Sequence, residues 1–346
     1  MAIYESKEDF EHLLLIAAGH TAFQLLWAGI ELKLFDTLSS SPNLTLSEIA
    51  DKLGLEYQPA RILVVGLASI KLLTKEGNSY SNAPVTEQRL VTGKPDNIAP
   101  IMGWQRYIVY EGLTDFVTAL KENKNIGLEH FPGEGNTLYQ RLTNDPVKEK
   151  VFQDSMSSLS DKANSYLVDN IDLSEVKHIV DAGGGDGTNA ITIAKKFPHI
   201  KVTIFDSASV CKIAEKNIAA EGLSDRVFTW PGNFFDDPFP ADIDAVIYCH
   251  IMTIWSIDNI VRLLKRTYNA LPDGGLALIF NMMGNDEDTG PISTALGSPY
   301  FLAIATGEGM LYSWSDYESA LNQANFQQTQ RIDDLPLDHG VLIGKK

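Results

Sequence analysis

The residue types that could do chemistry gather in one stretch, His178-Ile-Val-Asp181-Ala-Gly183-Gly-Gly185-Asp-Gly187-Thr188. A short apolar run enters a glycine-rich turn, which opens onto an amphipathic helical pattern ending near Lys195. Glycines there let the backbone approach a ligand closely and take dihedrals that side-chained residues avoid. Further on, Val202-Thr-Ile-Phe-Asp206 closes a second apolar run with an acid. In doubly wound sheets an acid about 20 residues after the glycine turn bonds ribose hydroxyls.

Nicotinamide and flavin folds share such a turn, so details must discriminate. A G-x-G-x-x-G match from Gly183 needs glycine or alanine where Thr188 stands. Asp181 precedes the glycines and gives D-x-G-x-G-x-G. That form suits a ligand with an ammonium group near the loop and no pyrophosphate to seat on the helix. S-adenosylmethionine is such a ligand. A turn that binds nothing is the alternative, and the downstream acid counts against it. Asn233 and Phe234 end a third run, where an amide beside an aromatic can bond and pack an adenine ring. Asp244-Ala-Val-Ile-Tyr-Cys249-His250 reads as a fourth strand, Asn259 to Leu271 as an amphipathic helix, and Leu276 to Asn281 as the next strand. Ligands sit at the carboxyl ends of such strands, which places Cys249 and His250 at the site.

These elements need a frame. The chain has 346 residues, 44% of them hydrophobic and 21% charged, which suits a sizeable core and about two domains. Its character changes near residue 176, from helical patterning to apolar runs alternating with amphipathic stretches. The expected divisions are 1–100, 101–175 and 176–346. In the first, Thr21–Phe35, a segment from Thr45 to Leu53 opened by a Thr45/Glu48 capping box and closed by Gly54, and Gln58–Leu73 read as three helices. A hairpin about Gly77-Asn78 follows, and the whole reads as a winged-helix domain of otherwise helical character. The helix that would enter a DNA groove, QPARILVVGLASIKLL, carries only Arg61 and Lys71 as charges. That is a face for protein, so the expectation is a dimerisation module and no nucleic-acid partner. From Asn97 to Asp172 helical spacing continues, with Trp104, Tyr107, Tyr110, Phe116, Phe152 and Met156 among its large side chains. Singly, each reads as core.

The charge balance agrees. With 28 basic and 45 acidic residues the net charge is −17, which repels phosphate backbones and anionic lipid. Cys211 and Cys249 are the only cysteines, too few for a disulfide framework or a cysteine-rich metal site. No His and carboxylate pair shows metal-ligand spacing. The start of the chain, MAIYESKEDFEH, lacks an apolar leader, and the uncharged run Thr289–Gly307 is broken by glycines and prolines. The expectation is a cytoplasmic protein with no membrane partner.

Together these residues resemble the small-molecule O-methyltransferases of the plant caffeate and hydroxyindole type, with their relatives in natural-product tailoring. The likeness covers nearly the whole chain. It includes the helical N-terminal region, the Asp181 loop, Asp206, Pro231-Gly-Asn-Phe-Phe, Ala270-Leu-Pro-Asp-Gly-Gly, and Ser315-Asp-Tyr through Ala324-Asn-Phe. It implies a Rossmann-like, doubly wound, mostly parallel α/β sheet (a class I methyltransferase), a homodimer, and S-adenosylmethionine as cofactor. It places Asp181, Gly183, Gly185, Asp206, Asn233, Phe234 and Cys249 around that cofactor, with Asn233 where the family usually has Asp and Phe234 where it often has Met. It puts Phe152 and Met156 on the substrate wall as an F-x-x-x-M pair, with Trp104 and Tyr107 beside them.

The pattern breaks at the catalytic stretch. The family's Leu-His-Asp-Trp reads Met252-Thr253-Ile254-Trp255 here, so Thr253 replaces the general base and Ile254 its acidic neighbour. The acids that steady the family's His fall at Asn281 and Leu311. A phenol of ordinary pKa gains about 10²–10⁴-fold from a positioned base, which a hydroxyl does not supply. Holding the acceptor in line for displacement remains available. Thr253 or His250 would then contact the reacting group. His20, reaching across a dimer, is another candidate base, while His12, His130, His178, His199 and His339 read as surface or strand-edge residues. The resulting reading is an S-adenosylmethionine-dependent methyltransferase for a small aromatic or polyketide-like metabolite. Oxygen leads as acceptor on family frequency, with carbon and nitrogen open. Two other readings stay open, a cofactor-bound enzyme that transfers no methyl and a winged-helix regulator that senses a ligand.

Overall fold

The computed structural model describes residues 6–346 apart from the side chains of Asp161 and Lys162. The first five residues, on which part of the reading of the chain's start rests, lie outside that range. Two compact units divide the chain, one up to Tyr107 and one from Ile108 to Lys346, so the region 101–175 is shared between them.

In the first unit, helices α2 (Gly19–Glu31), α3 (Leu34–Ser40), α4 (Leu46–Leu53) and α5 (Tyr57–Ser69) surround one core, while α1 (Lys7–Ala17) buries no residue. The single helix expected over 21–35 is two. Lys33 takes a left-handed conformation, φ 56, and the turn drives Leu34, Phe35 and Leu38 into the core at 1% exposure or less. The Thr45/Glu48 capping box forms, with the Thr45 N–H donating to the Glu48 carboxylate at 2.8 Å. Strands β1 (Leu44–Thr45), β2 (Leu73–Glu76) and β3 (Ser79–Asn82) make an antiparallel sheet in the order β1-β3-β2. Apart from the hairpin the expected character is helical, and the structure adds one short strand to it. The hairpin is wide enough to capture Leu44–Thr45 as a third strand, pairing Leu44 with Tyr80.

The second unit is built on a seven-stranded sheet. Its strands are β4 (His178–Ala182), β5 (Lys201–Asp206), β6 (Val227–Pro231), β7 (Ala245–Cys249), β8 (Leu276–Met282), β9 (Gln327–Leu335) and β10 (His339–Lys345). The order is β6-β5-β4-β7-β8-β10-β9, parallel through β8 and antiparallel at β10 and β9. The central strands are apolar at nearly every position because both faces are covered. Period-two alternation then sorts them. Ile179, Val202, Ile204, Ala245, Ile247, Leu278 and Phe280 join one core, under the helices Pro146–Asn170, Thr188–Lys196 and Ala208–Ala220. Val180, Phe205, Val246, Tyr248, Ala277 and Ile279 join the other, under Ile257–Ala270 and Trp314–Gln323. The glycine turn thus leaves a rigid central strand. The uncharged run folds as a helix, Ile292–Tyr300, continued by one π-helical turn, Phe301–Ala305. Among the described residues no single helix is long and apolar enough to cross a membrane.

Candidate functional site

The site begins where β4 stops. Gly183, at φ 75, turns the chain while its N–H donates to the Phe205 carbonyl at 2.8 Å, so the loop starts as an extension of the β4–β5 pairing. A Cβ at Gly183 would stand 2.5 Å from Cδ1 of Ile251, so the loop and the chain leaving β7 adjoin. Gly187 caps the helix Thr188–Lys196, and Asp186 accepts from the Thr188 amide at 3.1 Å and hydroxyl at 2.7 Å.

Asp206, at the end of β5, reaches back to this loop. One carboxylate oxygen accepts from the Gly185 N–H at 3.1 Å and the other from the Ser207 N–H at 2.6 Å. Burial raises its pKa above the ordinary value, opposed by those two N–H donors. Asp181 lies beneath the loop, fully buried, with both carboxylate oxygens lacking a hydrogen-bond partner. A Cβ at Gly184 would fall 2.6 Å from one of these oxygens. Burial first, then the charges of Asp206 and Asp186, pushes Asp181 up to about 7. The Ala190 N–H is the one backbone group that favours its charge, and no cation stands beside it, so the ionised acid is costly and a bound cationic ligand would supply its missing counter-charge. This orphaned acid under a glycine loop, with a second acid at the next strand end, fits a nucleoside bearing an ammonium group.

The remaining expected cofactor contacts are placed as follows. Asn233 is exposed, and its amide closes its own turn, accepting from the Phe235 N–H at 3.0 Å and donating to Asp236 at 2.8 Å. One amide hydrogen and one lone pair are left over for an adenine edge. Phe234 is half-buried and stands edge-on to Phe205 at 6.3 Å. Cys249 is buried in the core, its thiol pKa well above the usual range because of burial.

The other flank of these strand ends is made by the chain leaving β7. His250 takes φ 58, its N–H donates to the Phe280 carbonyl of β8 at 2.9 Å, and its ring meets Phe280 edge-on at 5.1 Å. Thr253 follows in a short 3₁₀ turn, Met252–Ile254, is 3% exposed, and donates its hydroxyl to the His250 carbonyl at 3.2 Å. Thr306 and Tyr312 brace this turn, donating to the carbonyls of Ile254 at 2.6 Å and Trp255 at 2.8 Å. At one family acid position the Asn281 amide donates to the Tyr317 hydroxyl at 3.2 Å while its own oxygen is buried without a partner. At the other, Leu311 is an apolar wall residue at 9% exposure. Phe152 and Met156 lie one turn apart on the helix Pro146–Asn170, both half-buried, Phe152 edge-on to Tyr139 at 5.9 Å. Trp104 and Tyr107 belong to the first unit, where Tyr107 packs edge-on to Trp27 at 5.7 Å.

Two histidines read as surface or strand-edge groups are buried. His178 is held at both ring nitrogens, by the Asp242 carbonyl at 3.0 Å and the Thr203 hydroxyl at 2.8 Å, because β4 is covered on both faces. His339, the first residue of β10, is 3% exposed, and its Nε2 lies 3.0 Å from Nε2 of His250. The apolar run Val341-Leu-Ile that follows it was the available sign that His339 opens a core strand. Among the described residues no cluster of His, Cys, Asp and Glu is arranged to hold a metal ion.

A parallel sheet with antiparallel β10 and β9 at one edge, a glycine loop after β4 and an acid after β5 define a class I S-adenosylmethionine-dependent methyltransferase. The chain belongs to the O-methyltransferase family, whose domain model matches residues 110–327 and whose dimerisation-domain model matches residues 14–92. It is 41% identical over 342 residues to an L-tyrosine C(3)-methyltransferase from Streptomyces lavendulae, covering 98% of this chain and 93% of that one. It is 29% identical to a 3-hydroxy-5-methyl-1-naphthoate 3-O-methyltransferase from Streptomyces sahachiroi, over 96% of this chain and 94% of that one. Among solved structures, the S-adenosylmethionine-dependent methyltransferase SibL superposes with a TM-score of 0.88 at 34% identity, covering 97% and 98% of the two chains.

Proposed function

We propose that the chain methylates a ring carbon of a small phenolic amino acid of the L-tyrosine type. The observation that carries this reading is Thr253. The buried residue at the family's base position is a neutral hydroxyl whose proton is already given to the His250 carbonyl. The whole-length likeness to a tyrosine C(3)-methyltransferase supports carbon ahead of the oxygen that family frequency favours. Bound S-adenosylmethionine supplies an electrophilic methyl group on a sulfonium. On this reading Asp181 carries the charge that meets its ammonium group, Asp206 holds its ribose, and Gly183 and Gly185 let it lie against the backbone. Asn233, Phe234 and Cys249 border it, and Phe152 and Met156 shape the acceptor's place. A phenol ring attacks through the carbon beside its hydroxyl, gains the methyl, and loses that carbon's proton to restore aromaticity. A hydrogen-bond acceptor at the hydroxyl raises the ring's electron density and fixes its orientation, so positioning contributes more than complete deprotonation.

The first unit serves dimerisation. Its helices α3, α4 and α5 with the β2–β3 hairpin suit a winged-helix module, and α1 and α5 carry exposed Leu13, Ile16, Ile62 and Val65. A homodimer is the assembly this supports.

Incubation with methyl-¹³C cofactor and L-tyrosine, followed by NMR of the product, tests the reaction. Label on the carbon next to the hydroxyl is expected. Label on oxygen would return the acceptor to the family's common one, and turnover of substrate without label would make the enzyme a non-methylating one.

A further inference from the structure

We infer that His250 and His339 form a dyad in which His339 is a positioning residue, fixing the His250 tautomer so that Nδ1 of His250 accepts the hydrogen bond of the substrate's hydroxyl. The proposal rests on the methyltransferase reading above and adds to it the group that replaces the missing base.

The proton assignments follow from a chain of partners. Nδ1 of His339 lies 3.2 Å from the Pro336 carbonyl, which only accepts, so Nδ1 carries the hydrogen. A neutral His339 then presents a bare Nε2. Nε2 of His250 stands 3.0 Å away, so that atom must be the donor. His250 is left with a lone pair on Nδ1, and that atom has no hydrogen-bond partner among the described residues. His250 as a residue is half-buried, at the carboxyl end of β7, between Cys249 and Ile251, whose side chain adjoins Gly183. Ligands of open α/β sheets occupy that end. The partner that orients a catalytic imidazole in hydrolytic triads acts in the same way, by holding one tautomer.

Both rings stay neutral. Burial first, then the neighbouring His339, lowers His250 to about 3, and burial lowers His339. Against His339 stand the Pro336 and Leu337 backbone and the charge of Asp338, which favour its protonation. Asp333, Asp334 and Asp338 line, with His339, a solvent-open cavity of about 520 Å³. The acceptor therefore works as a neutral base of low strength. During transfer the hydroxyl proton would move toward Nδ1 as the ring carbon bonds the methyl, the methyl's bond to the sulfonium sulfur breaking with its electron pair left on a neutral thioether. The ring-carbon proton then passes to solvent, the hydroxyl recovers its own from Nδ1, and the net release is one proton.

Two variants and one spectrum test the dyad. Long-range ¹H–¹⁵N NMR of the histidine-labelled protein should show His250 protonated on Nε2 and His339 on Nδ1, a readout independent of any turnover. His339→Phe keeps a ring but removes the acceptor, and kcat with L-tyrosine should fall about 10²-fold with cofactor affinity unchanged by calorimetry. His339→Gln, whose amide oxygen can still accept from His250, should recover most of that loss. The opposite tautomers in the spectrum, a Phe variant as fast as wild type, or a Gln variant as slow as the Phe variant would each overturn the proposal. If the wild type transfers no methyl to L-tyrosine while the spectrum holds, the reading of a tyrosine-type acceptor fails, and the dyad stands as a structural pair without the assigned role at a phenol hydroxyl.

Discussion

The two sides of the crevice at the strand ends are built by different means. On the β4–β5 side, groups about 20 residues apart in sequence meet through backbone geometry, with Gly183 bonded to Phe205 and Gly185 to Asp206. On the β7–β8 side, the meeting groups are distant in sequence and joined through side chains, as His250 is with His339, 89 positions away. Backbone-built sites tolerate little change of residue, because the turn dictates the residue type. Side-chain-built sites can exchange one constellation for another, and here Thr253, Asn281 and Leu311 stand at the positions that the family likeness gives to a base and its acids, with the His250 and His339 pair close by in the chain leaving β7 and at the start of β10. The lesson is that a loop held by backbone pairing constrains its residues more tightly than a cluster joined through side chains.

The sharpest way to break this contrast is at Asp206. Asp206→Ala removes a charged acceptor for ribose and frees the Gly185 N–H, so cofactor affinity should fall by about 10–10²-fold in calorimetry. Gly309→Ala tests the other side. A Cβ there would collide with the Thr253 carbonyl and the Ile254 backbone, which are not flexible ends, and would displace the 3₁₀ turn. Turnover should drop about tenfold or more while cofactor affinity holds, since a misplacement near 1 Å can cost 10²-fold. Equal losses in both quantities would show the two sides to be one unit.

A smaller effect is expected at pH. The folded pKa of Asp181, about 7, stands above its unfolded value of 3.8. The protonated acid therefore favours the free protein at low pH, and that contribution is lost as pH rises through about 7. A cationic ligand beside the acid wants it ionised, so affinity for S-adenosylhomocysteine should increase between pH 5.5 and about 7.5, and Asp181→Asn should flatten that slope. A slope unchanged in the variant would remove Asp181 from the cofactor's surroundings. Over the same range His250, lowered to about 3, stays neutral, so kcat/KM should show no step from a histidine of ordinary pKa. The least effect belongs to Thr253→Ala. Its hydroxyl donates to a carbonyl and orients a turn, so kcat should change less than about tenfold; a fall beyond about 10³-fold would place the hydroxyl in the chemical step.

How much of this was legible follows the same division. The strand at His178, the glycine turn, the helix after it and the acid at 206 are local patterns, and each formed within a residue or two of its expected bounds. The capping box at Thr45 and the hairpin at Gly77 were equally local. The break at Lys33 was not, because burial of Leu34 and Phe35 against other helices decides it. Nor was the burial of His339 or His178, which depends on strand order, with β10 pairing beside β8. The closed turn of Asn233 is set by Asp236 and Asp237, whose capping competes with ligand contact in a way that spacing does not reveal.

The most direct measurement is calorimetric titration of S-adenosylhomocysteine into wild type and Asp206→Asn. The amide keeps the size of the side chain and loses its charge. The account predicts saturable heat with the wild type and at least a tenfold weaker fit in the variant, while the far-ultraviolet spectrum stays the same. Equal affinity in the two proteins would contradict the central claim that the acid at the end of β5 grips the cofactor.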